Sequence, residues 1–310
     1  MEHIAEKLDA MQSHIQPLNI NGLKGRMLRL ESQKKSGKRE ILMVYGHHAS
    51  IERMFGLAEV MSDFGTVTMP DLPGFGGMDS YDKIGIKPSI DTLADYLATF
   101  VKLKYRKKKV TIVAMSLGFV IAVRMLQRYP ELENRVELLV SLVGFTRHDD
   151  TKLSKKLTRS YKVLASVFKH KIPAWLFYNT ILHPTIIKTF YAKTPNARKK
   201  FEHLSHEDKK RALDFEVVLW RENDVRTYMI MILEMLNLDN CTKQVNVPVH
   251  HVYVHNDQYF DTKIVEQHMK VIFSDYSQSE AVLPNHAPSI VATKEEAAPF
   301  VPKALRKVLS

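Results

Sequence analysis

Val110-Thr-Ile-Val-Ala-Met-Ser116-Leu-Gly118-Phe119 is the stretch whose reading decides the fold of this chain. Residues 110–115 form a nearly continuous apolar run, as expected of a strand buried on both faces. A serine follows, and from Leu117 to Tyr129 the apolar residues take helical spacing until Pro130 stops them. A serine on a tight strand-to-helix turn projects its hydroxyl above the sheet edge. Small residues two positions away on each side, here Ala114 and Gly118, leave room for that strained backbone. The helix start adds free N–H groups and a positive dipole end where negative charge can develop on a substrate oxygen. A plain strand–turn–helix connection with a serine N-cap fits the same short pattern equally well.

Outward from that stretch the same alternation repeats. Ile41 to Tyr45, Thr66 to Met69 and Val136 to Val143 read as further strands. Ile51 to Phe64 has helical spacing and ends at Gly65, taken as a helix stop, and Ser89 is a candidate N-cap for a helix to Lys104. Three strand–helix–strand units in sequence predict a mostly parallel, right-handed α/β sheet. Before them, Leu18 to Leu30 reads as two extended pieces around the hairpin signal Asn21-Gly22. From Arg147 to Asn240 the pattern turns helical, without a convincing strand. Strand signals return at Val247 to Val254 and weakly at Glu280 to Leu283. Thr293 and Glu296 form a capping-box pair for a last helix that Pro299 and Pro302 should bend or break. The simplest architecture is an α/β core of residues 1–146 and 241–310, interrupted by a helical insertion at 147–240.

The chain resembles the α/β-hydrolase family from about Leu18 onward. Tyr45-Gly46-His47-His48, after a buried strand, stands where the family carries a His-Gly-x loop. Asp71-Leu-Pro-Gly74-Phe-Gly76, after the next strand, looks like the family's Asp-x-x-Gly-x-Gly loop. Ala114 replaces the first glycine of the serine motif, Tyr45 the usual histidine, and Met78 a common serine; these departures bear on subfamily rather than class. The resemblance implies a mostly parallel α/β-hydrolase sheet flanked by helices, with the insertion as a helical cap. It also implies Ser116 as nucleophile, with the backbone N–H groups of His47 and Leu117 as oxyanion donors.

A serine hydroxyl needs an adjacent base, and the base needs a carboxylate that fixes its tautomer. In this fold the chain order is serine, acid, histidine. The strand starting at Val247 ends in a polar turn at Asp257, which resembles the family's placement of the acid. Asp261 could instead cap a following helix, and Asp149 or Asp150 offers a less common family position for the acid. Leu283-Pro-Asn-His286-Ala-Pro occupies the family's place for the catalytic histidine. Of the fourteen histidines, His250 and His251 sit within a strand and His47 and His48 in the oxyanion loop. The His47–His48 pair also suggests a metal site, but adjacent side chains point apart and no third ligand stands at helical or hairpin spacing. No metal or cofactor is expected.

A serine nucleophile argues against epoxide hydrolase or haloalkane dehalogenase chemistry, for which the family uses aspartate. Acyl transfer to water remains, with a small-molecule carboxylic ester carrying an apolar acyl or alcohol part as the expected substrate. Amide, peptide, thioester and carbon–carbon bonds fall within reach of the same residues. The competing class is a non-catalytic member of the fold that binds ligands, which would usually lose a triad position. In the insertion, Trp175, Leu176, Phe177, Tyr178, Ile181, Leu182, Trp220, Met229 and Met231 either line an apolar acyl pocket or form the cap's own core. The second is the expectation for any single one of them.

With 310 residues, 45% apolar and 25% charged, the chain can bury a sizeable core. The net charge of +11 and the basic runs Lys102 to Lys109 and Lys152 to Lys162 come without a nucleic-acid-binding signature. They read as a solvated basic surface, and no specific nucleic-acid partner is expected. Between Arg147 and Asn240 there are 18 Lys/Arg against 11 Asp/Glu, which suggests weak peripheral contact with anionic membranes. Charges throughout the first twenty residues argue against a typical secretory signal, and Tyr228 to Leu236 is too short an apolar run to span a bilayer. The single Cys241 excludes an internal disulfide framework and fits a reducing compartment. A cytoplasmic location is expected.

Overall fold

Eight strands form one sheet in the order β1-β2-β4-β3-β5-β6-β7-β8 in a computed structural model that describes residues 11–34, 37–193, 205–282 and 293–310. β5 (Val110–Met115) is buried at every position, which accounts for its nearly continuous apolar run. It pairs in parallel with β3 (Arg39–Val44) on one side and β6 (Val136–Leu142) on the other. β4 (Gly65–Pro70), β7 (Val249–Val254) and β8 (Tyr276–Ala281) extend the parallel set. β1 (Ile15–Ile20) and β2 (Leu23–Leu30) form an antiparallel hairpin on the β4 edge. Its turn has positive φ at Asn21 (53°) and Gly22 (82°), the left-handed pair that matches the twist of a two-residue hairpin.

Helices connect the parallel strands as their periodicity predicts. α1 (Ile51–Met61) joins β3 to β4. α2 (Ile90–Lys104) opens on Ser89, which accepts from the Thr92 N–H in a full capping box. α3 (Leu117–Arg128) follows β5 directly and packs against α2. Gly65 differs from expectation. α1 ends at Met61 with Ser62 as C-cap, and Gly65 begins β4, where an added Cβ would lie 2.1 Å from the Arg39 carbonyl oxygen. Close strand approach, rather than helix termination, explains that glycine.

Between β6 and β7 lie α4 (Lys155–Phe168), α5 (Lys171–Asn179), α6 (Pro184–Lys193), α7 (His206–Glu222) and α8 (Val225–Met235). They gather a small cluster of their own around Ala165, Ala174, Leu182, Ile187 and Met229. The sheet and its helices share the main core, which Tyr228, Ile230 and Met231 of α8 also enter. After β7 come α9 (Thr262–Ile272), β8 and two short helices, α10 (Lys294–Ala297) and α11 (Lys303–Leu309). Thr293 and Glu296 make the expected capping box, and the chain breaks into a separate helix at Pro302.

β8 is longer and starts earlier than its sequence suggests, since Tyr-Ser-Gln-Ser-Glu-Ala lacks an apolar face. The explanation lies across the ladder. His250 of β7 sets Nδ1 at 2.9 Å from Ser277 Oγ and Nε2 at 2.8 Å from Ser279 Oγ, so the serines alternate onto a histidine rather than an apolar layer.

Candidate functional site

The strand order reverses between β3 and β5, because β4 lies outside β3 while the chain continues through β5 to β6. In open α/β sheets the crevice at the carboxyl ends of such a strand pair is where ligands bind. Two of the loops read from the sequence meet there.

Ser116 leaves β5 with φ 49° and ψ −117°, a left-handed conformation rare outside glycine, and its side chain does not cap α3. An ordinary N-cap has extended backbone and accepts from the N2 or N3 amide, so the plain N-cap reading does not fit. The turn is held from several sides. The Ser116 N–H donates to Leu142 O at 3.0 Å, and its carbonyl accepts from Phe119 and Val120. An added Cβ on Gly118 would sit 2.3 Å from Val44 O and 2.6 Å from Tyr45 O. Only glycine lets α3 start this close to β3. On Gly46 a Cβ would come 3.1 Å from both Met115 O and Ser116 Cβ, and 3.7 Å from Leu117 N. The loop bearing His47 therefore lies directly on the Ser116–Leu117 turn.

Side chains from the insertion clasp this loop. His47 Nε2 lies 3.1 Å from the Tyr228 carbonyl oxygen, which can only accept, so that nitrogen carries the proton. Its ring lies 3.8 Å from the Tyr228 ring centroid. Burial, against the pull of the Tyr228 carbonyl and with help from His48, pushes the His47 imidazole down to about 3. His48, at φ 56°, packs on Trp220 at 4.3 Å and places Nε2 3.2 Å from Glu216 Oε2. Glu216 is fully buried and also accepts from Tyr191 Oη at 2.7 Å. Burial raises its carboxyl, but the His48 bond and charge, Arg53 and Tyr191 outweigh that and hold it at about 2. Glu216 and Tyr191 escaped the sequence reading because a single charge on an amphipathic helix looks solvated.

Beneath the loop, the residues that depart from the family pattern have a structural use. Tyr45 Oη donates to Asp71 Oδ1 at 3.0 Å and accepts from the Leu72 N–H at 2.9 Å. Arg26 bridges Asp71 and Glu52 and also donates to Gly76 O. Tyr45 thus ties the first loop to the Asp71–Gly76 loop. Met78 packs on the hairpin, its Cγ 2.6 Å from where a Cβ on Gly25 would stand.

Asp257 follows β7, is 5% exposed, and accepts the Tyr259 N–H at 2.7 Å and the Phe260 N–H at 3.1 Å through Oδ1. The segment after β6 braces it. Lys152 Nζ donates to the Asp257 carbonyl, and Lys152 N–H donates to Tyr259 O, both at 2.8 Å. Asp261 caps α9 through the Lys263 and Ile264 amides. Asp150 is buried. Its Oδ2 accepts the Thr146 and Arg147 amides, and its Oδ1 takes His268 Nδ1 at 2.5 Å. Asp149 is exposed beside Arg147. Of the three alternatives to Asp257, Asp261 caps a helix, Asp150 holds a loop and Asp149 pairs with Arg147 at the surface. His286 lies outside the described residues.

Asp149, Asp150 and His268 form the one group of potential metal ligands among the described residues. Arg147 already supplies its cation, with Nε 3.4 Å from Asp149 and Nη1 3.4 Å from His268 Nε2. His268 Nδ1 lies 2.5 Å from Asp150 Oδ1, so the three groups are already engaged with one another and with Arg147. The His47–His48 pair contributes to no such group.

Of the insertion residues proposed as pocket or core, Leu182 and Met229 are buried in the small cluster, and Phe177, Tyr178 and Trp220 pack against it. Met231 belongs to the main core, whereas Trp175, Leu176 and Ile181 are exposed. A small apolar cleft remains between Phe177, Leu182, Trp220, Tyr228 and Met229.

Residues 35–279 match the serine aminopeptidase family S33. The chain belongs to this family of α/β hydrolases. No curated protein matches the sequence. Among solved structures, a membrane phospholipase A described as a bacterial virulence factor aligns at 15% identity and TM-score 0.66, over 99% of this chain and 91% of its own. An epoxide hydrolase from Bacillus megaterium aligns at 15% and 0.63, over 95% and 99%. A thermophilic esterase from Thermogutta terrifontis aligns at 14% and 0.62, over 95% and 100%. At these identities the similarity establishes the fold, which these structures carry under descriptions of different chemistries. No described helix is long and apolar enough to cross a membrane.

Proposed function

We propose that the protein is a serine hydrolase in which Ser116 forms an acyl-enzyme, His286 is the base and Asp257 orients it. The observation that carries this reading is the left-handed backbone of Ser116, without a capping bond, at the strand reversal beside the His47 loop. Holding a non-glycine residue there costs about 1–3 kcal/mol, and such strain gathers at functional sites. The hydroxyl attacks a carbonyl, His286 takes its proton, and the oxyanion rests on the N–H groups of His47 and Leu117. Water then releases the acid by the reverse proton path. Asp257 suits the orienting role because it is buried and fixed by two amides, while Asp150 and Asp261 are occupied elsewhere. The insertion acts as a cap, its aromatics closing one side of the oxyanion loop.

Carboxylic esters with an apolar part are the proposed small-molecule substrates, in keeping with Phe75, Tyr228 and Trp220 around the two loop histidines. The family name keeps aminopeptidase activity as the second reading. A fluorophosphonate probe should label wild type and not Ser116→Ala. Nitrophenyl esters of graded chain length, tested beside aminoacyl anilides, then separate esterase from peptidase. Asp257→Asn should lower kcat by about 10⁴-fold, as loss of the orienting carboxylate does, and Asp150→Asn should not. Folded wild type that resists labelling would sink the proposal.

A further inference from the structure

The outer faces of α4 and α5 take no part in the site. Both helices pack on α8, and their inward residues are small or aromatic. Ala165 and Ala174 are buried, and Phe168 meets Phe177 at a ring distance of 4.6 Å. Their outward residues are large and apolar. Val163 is 60% exposed, Ile172 75% and Trp175 64%, with Val167 and Leu176 also exposed. Val163 and Val167 lie one turn apart, as do Ile172, Trp175 and Leu176, so each helix carries an apolar stripe. The short turn at Lys169-His170 joins the helices at the ends where Val167 and Ile172 lie.

The charge carried by these two helices and their connecting turn is of one sign. Residues 151–201 contain twelve Lys/Arg and no Asp or Glu. On these helices and their connecting turn, Lys155, Lys156, Arg159, Lys169 and Lys171 make no ion pair among the described residues. Elsewhere the same protein does neutralise its cations: Lys83, Lys102, Lys188 and Lys270 all meet carboxylates.

A second copy docking through this face would set these cations against one another. A nucleic acid would engage the cations but leave valine, isoleucine and leucine without partners. An anionic lipid surface satisfies both features, since apolar side chains enter the boundary of headgroups and acyl chains while lysines reach the phosphates. We propose that the α4–α5 face binds anionic phospholipid membranes peripherally. The inference is independent of the reaction proposed for Ser116.

The test is sedimentation of the full chain with vesicles of phosphatidylcholine, alone or mixed with phosphatidylglycerol. Wild type should be retained by the anionic vesicles at low salt, released at high salt, and not retained by the neutral ones. Its tryptophan emission should shift to the blue on binding, and Trp175→Phe should remove most of that shift. Ile172→Ser/Trp175→Ser and Lys155→Glu/Lys156→Glu/Arg159→Glu should each lose about tenfold or more in retention, with unchanged circular dichroism. Ser116→Ala should bind as wild type does, which separates this proposal from the hydrolase reading. No retention of folded wild type on anionic vesicles, or equal retention by both variants, would overturn it. So would a dimer seen by light scattering that Ile172→Ser/Trp175→Ser abolishes, since the face would then belong to a second copy.

Discussion

The parallel sheet and the helical insertion bury their apolar residues in different ways. In the sheet, β5 is buried throughout, and α3 buries ten of its twelve residues between the strands and α2. In the insertion, α4 and α5 each bury a single alanine. Of the eighteen exposed large hydrophobics among the described residues, twelve fall between Leu157 and Val218. A close-packed platform can hold a strained turn such as Ser116, because displacing it would disturb many packed neighbours. A thinly packed layer cannot do that, but it can present a surface and shift against the platform. In the proposed reading the reacting groups sit on the sheet and the insertion sets selectivity.

The largest effect should come from a large-to-small change on each side. Phe119 is fully buried under the Ser116 turn and meets the Phe273 ring at 6.1 Å. Phe119→Ala should cost about 3–5 kcal/mol, because a close-packed site collapses poorly around a cavity. Leu182→Ala removes a residue that is 4% exposed but lies beside a small cleft. It should cost about 2 kcal/mol, the low end for such a change. Urea unfolding of both variants measures the difference, and equal losses would mean that the insertion is packed as tightly as the sheet.

The same contrast decides what was legible beforehand. Burial on both faces writes itself into a sequence as an apolar run, so β3, β5 and β6 were readable to within a residue or two. Turn chemistry was readable at Asn21-Gly22, at the N-cap Ser89 and at the capping box of Thr293, because each depends on neighbours in the chain. What could not be read depends on partners distant in sequence. Ser277 and Ser279 form a strand face only because His250 lies opposite. Glu216 gains its role from His48, 168 residues away. Gly65 has the residue type of a helix stop, yet Arg39 across the ladder is what demands it. The meeting of the Ser116 turn with the His47 loop was legible from their motifs, whereas the amides that Asp257, Asp150 and Asp261 each accept were not.

Acid should act on both regions. Burial holds His47 neutral to about 3, and burial with His250 nearby takes His251 down to about 4. The unfolded chain protonates these histidines near pH 6.5, so between that pH and the folded values it binds more protons, and stability falls as pH falls. Glu216 has the opposite charge but the same outcome at lower pH. Its contribution is present above about 4.5 and is lost as pH falls through about 2. Glu216 adds nothing between pH 6.5 and 4.5, where the histidines act against Asp71, whose carboxyl burial pushes up to about 8; the histidines' share of the change should be on the order of a few kcal/mol. His251→Gln tests the sheet and His47→Gln the junction: each should flatten the stability–pH curve in that span, and unchanged slopes would remove the assignment.

Glu216→Gln should have a smaller effect and one confined to the junction. Gln keeps an acceptor for Tyr191 but loses the charge beside His48 and Arg53, at an expected cost of about 1–3 kcal/mol. Hydrogen exchange should quicken in α7 and α8 while the strands keep their protection, as expected if the insertion opens as a unit of its own. Faster exchange in β3 and β5 as well would show the two regions to be one cooperative body.

The smallest effect should be at Ile172, the most exposed large apolar residue among the described helices. Ile172 is 75% exposed, so replacing it buries nothing and opens no cavity. Ile172→Ser should change stability by no more than about 0.5 kcal/mol, the usual range for surface substitutions. Serine has much the same intrinsic helix preference as isoleucine, so α5 gains or loses little from that source. A urea midpoint and slope within error of wild type would mean that folding does not use this side chain. A loss comparable to that of Leu182→Ala would instead place Ile172 inside a packed layer and make the insertion resemble the sheet.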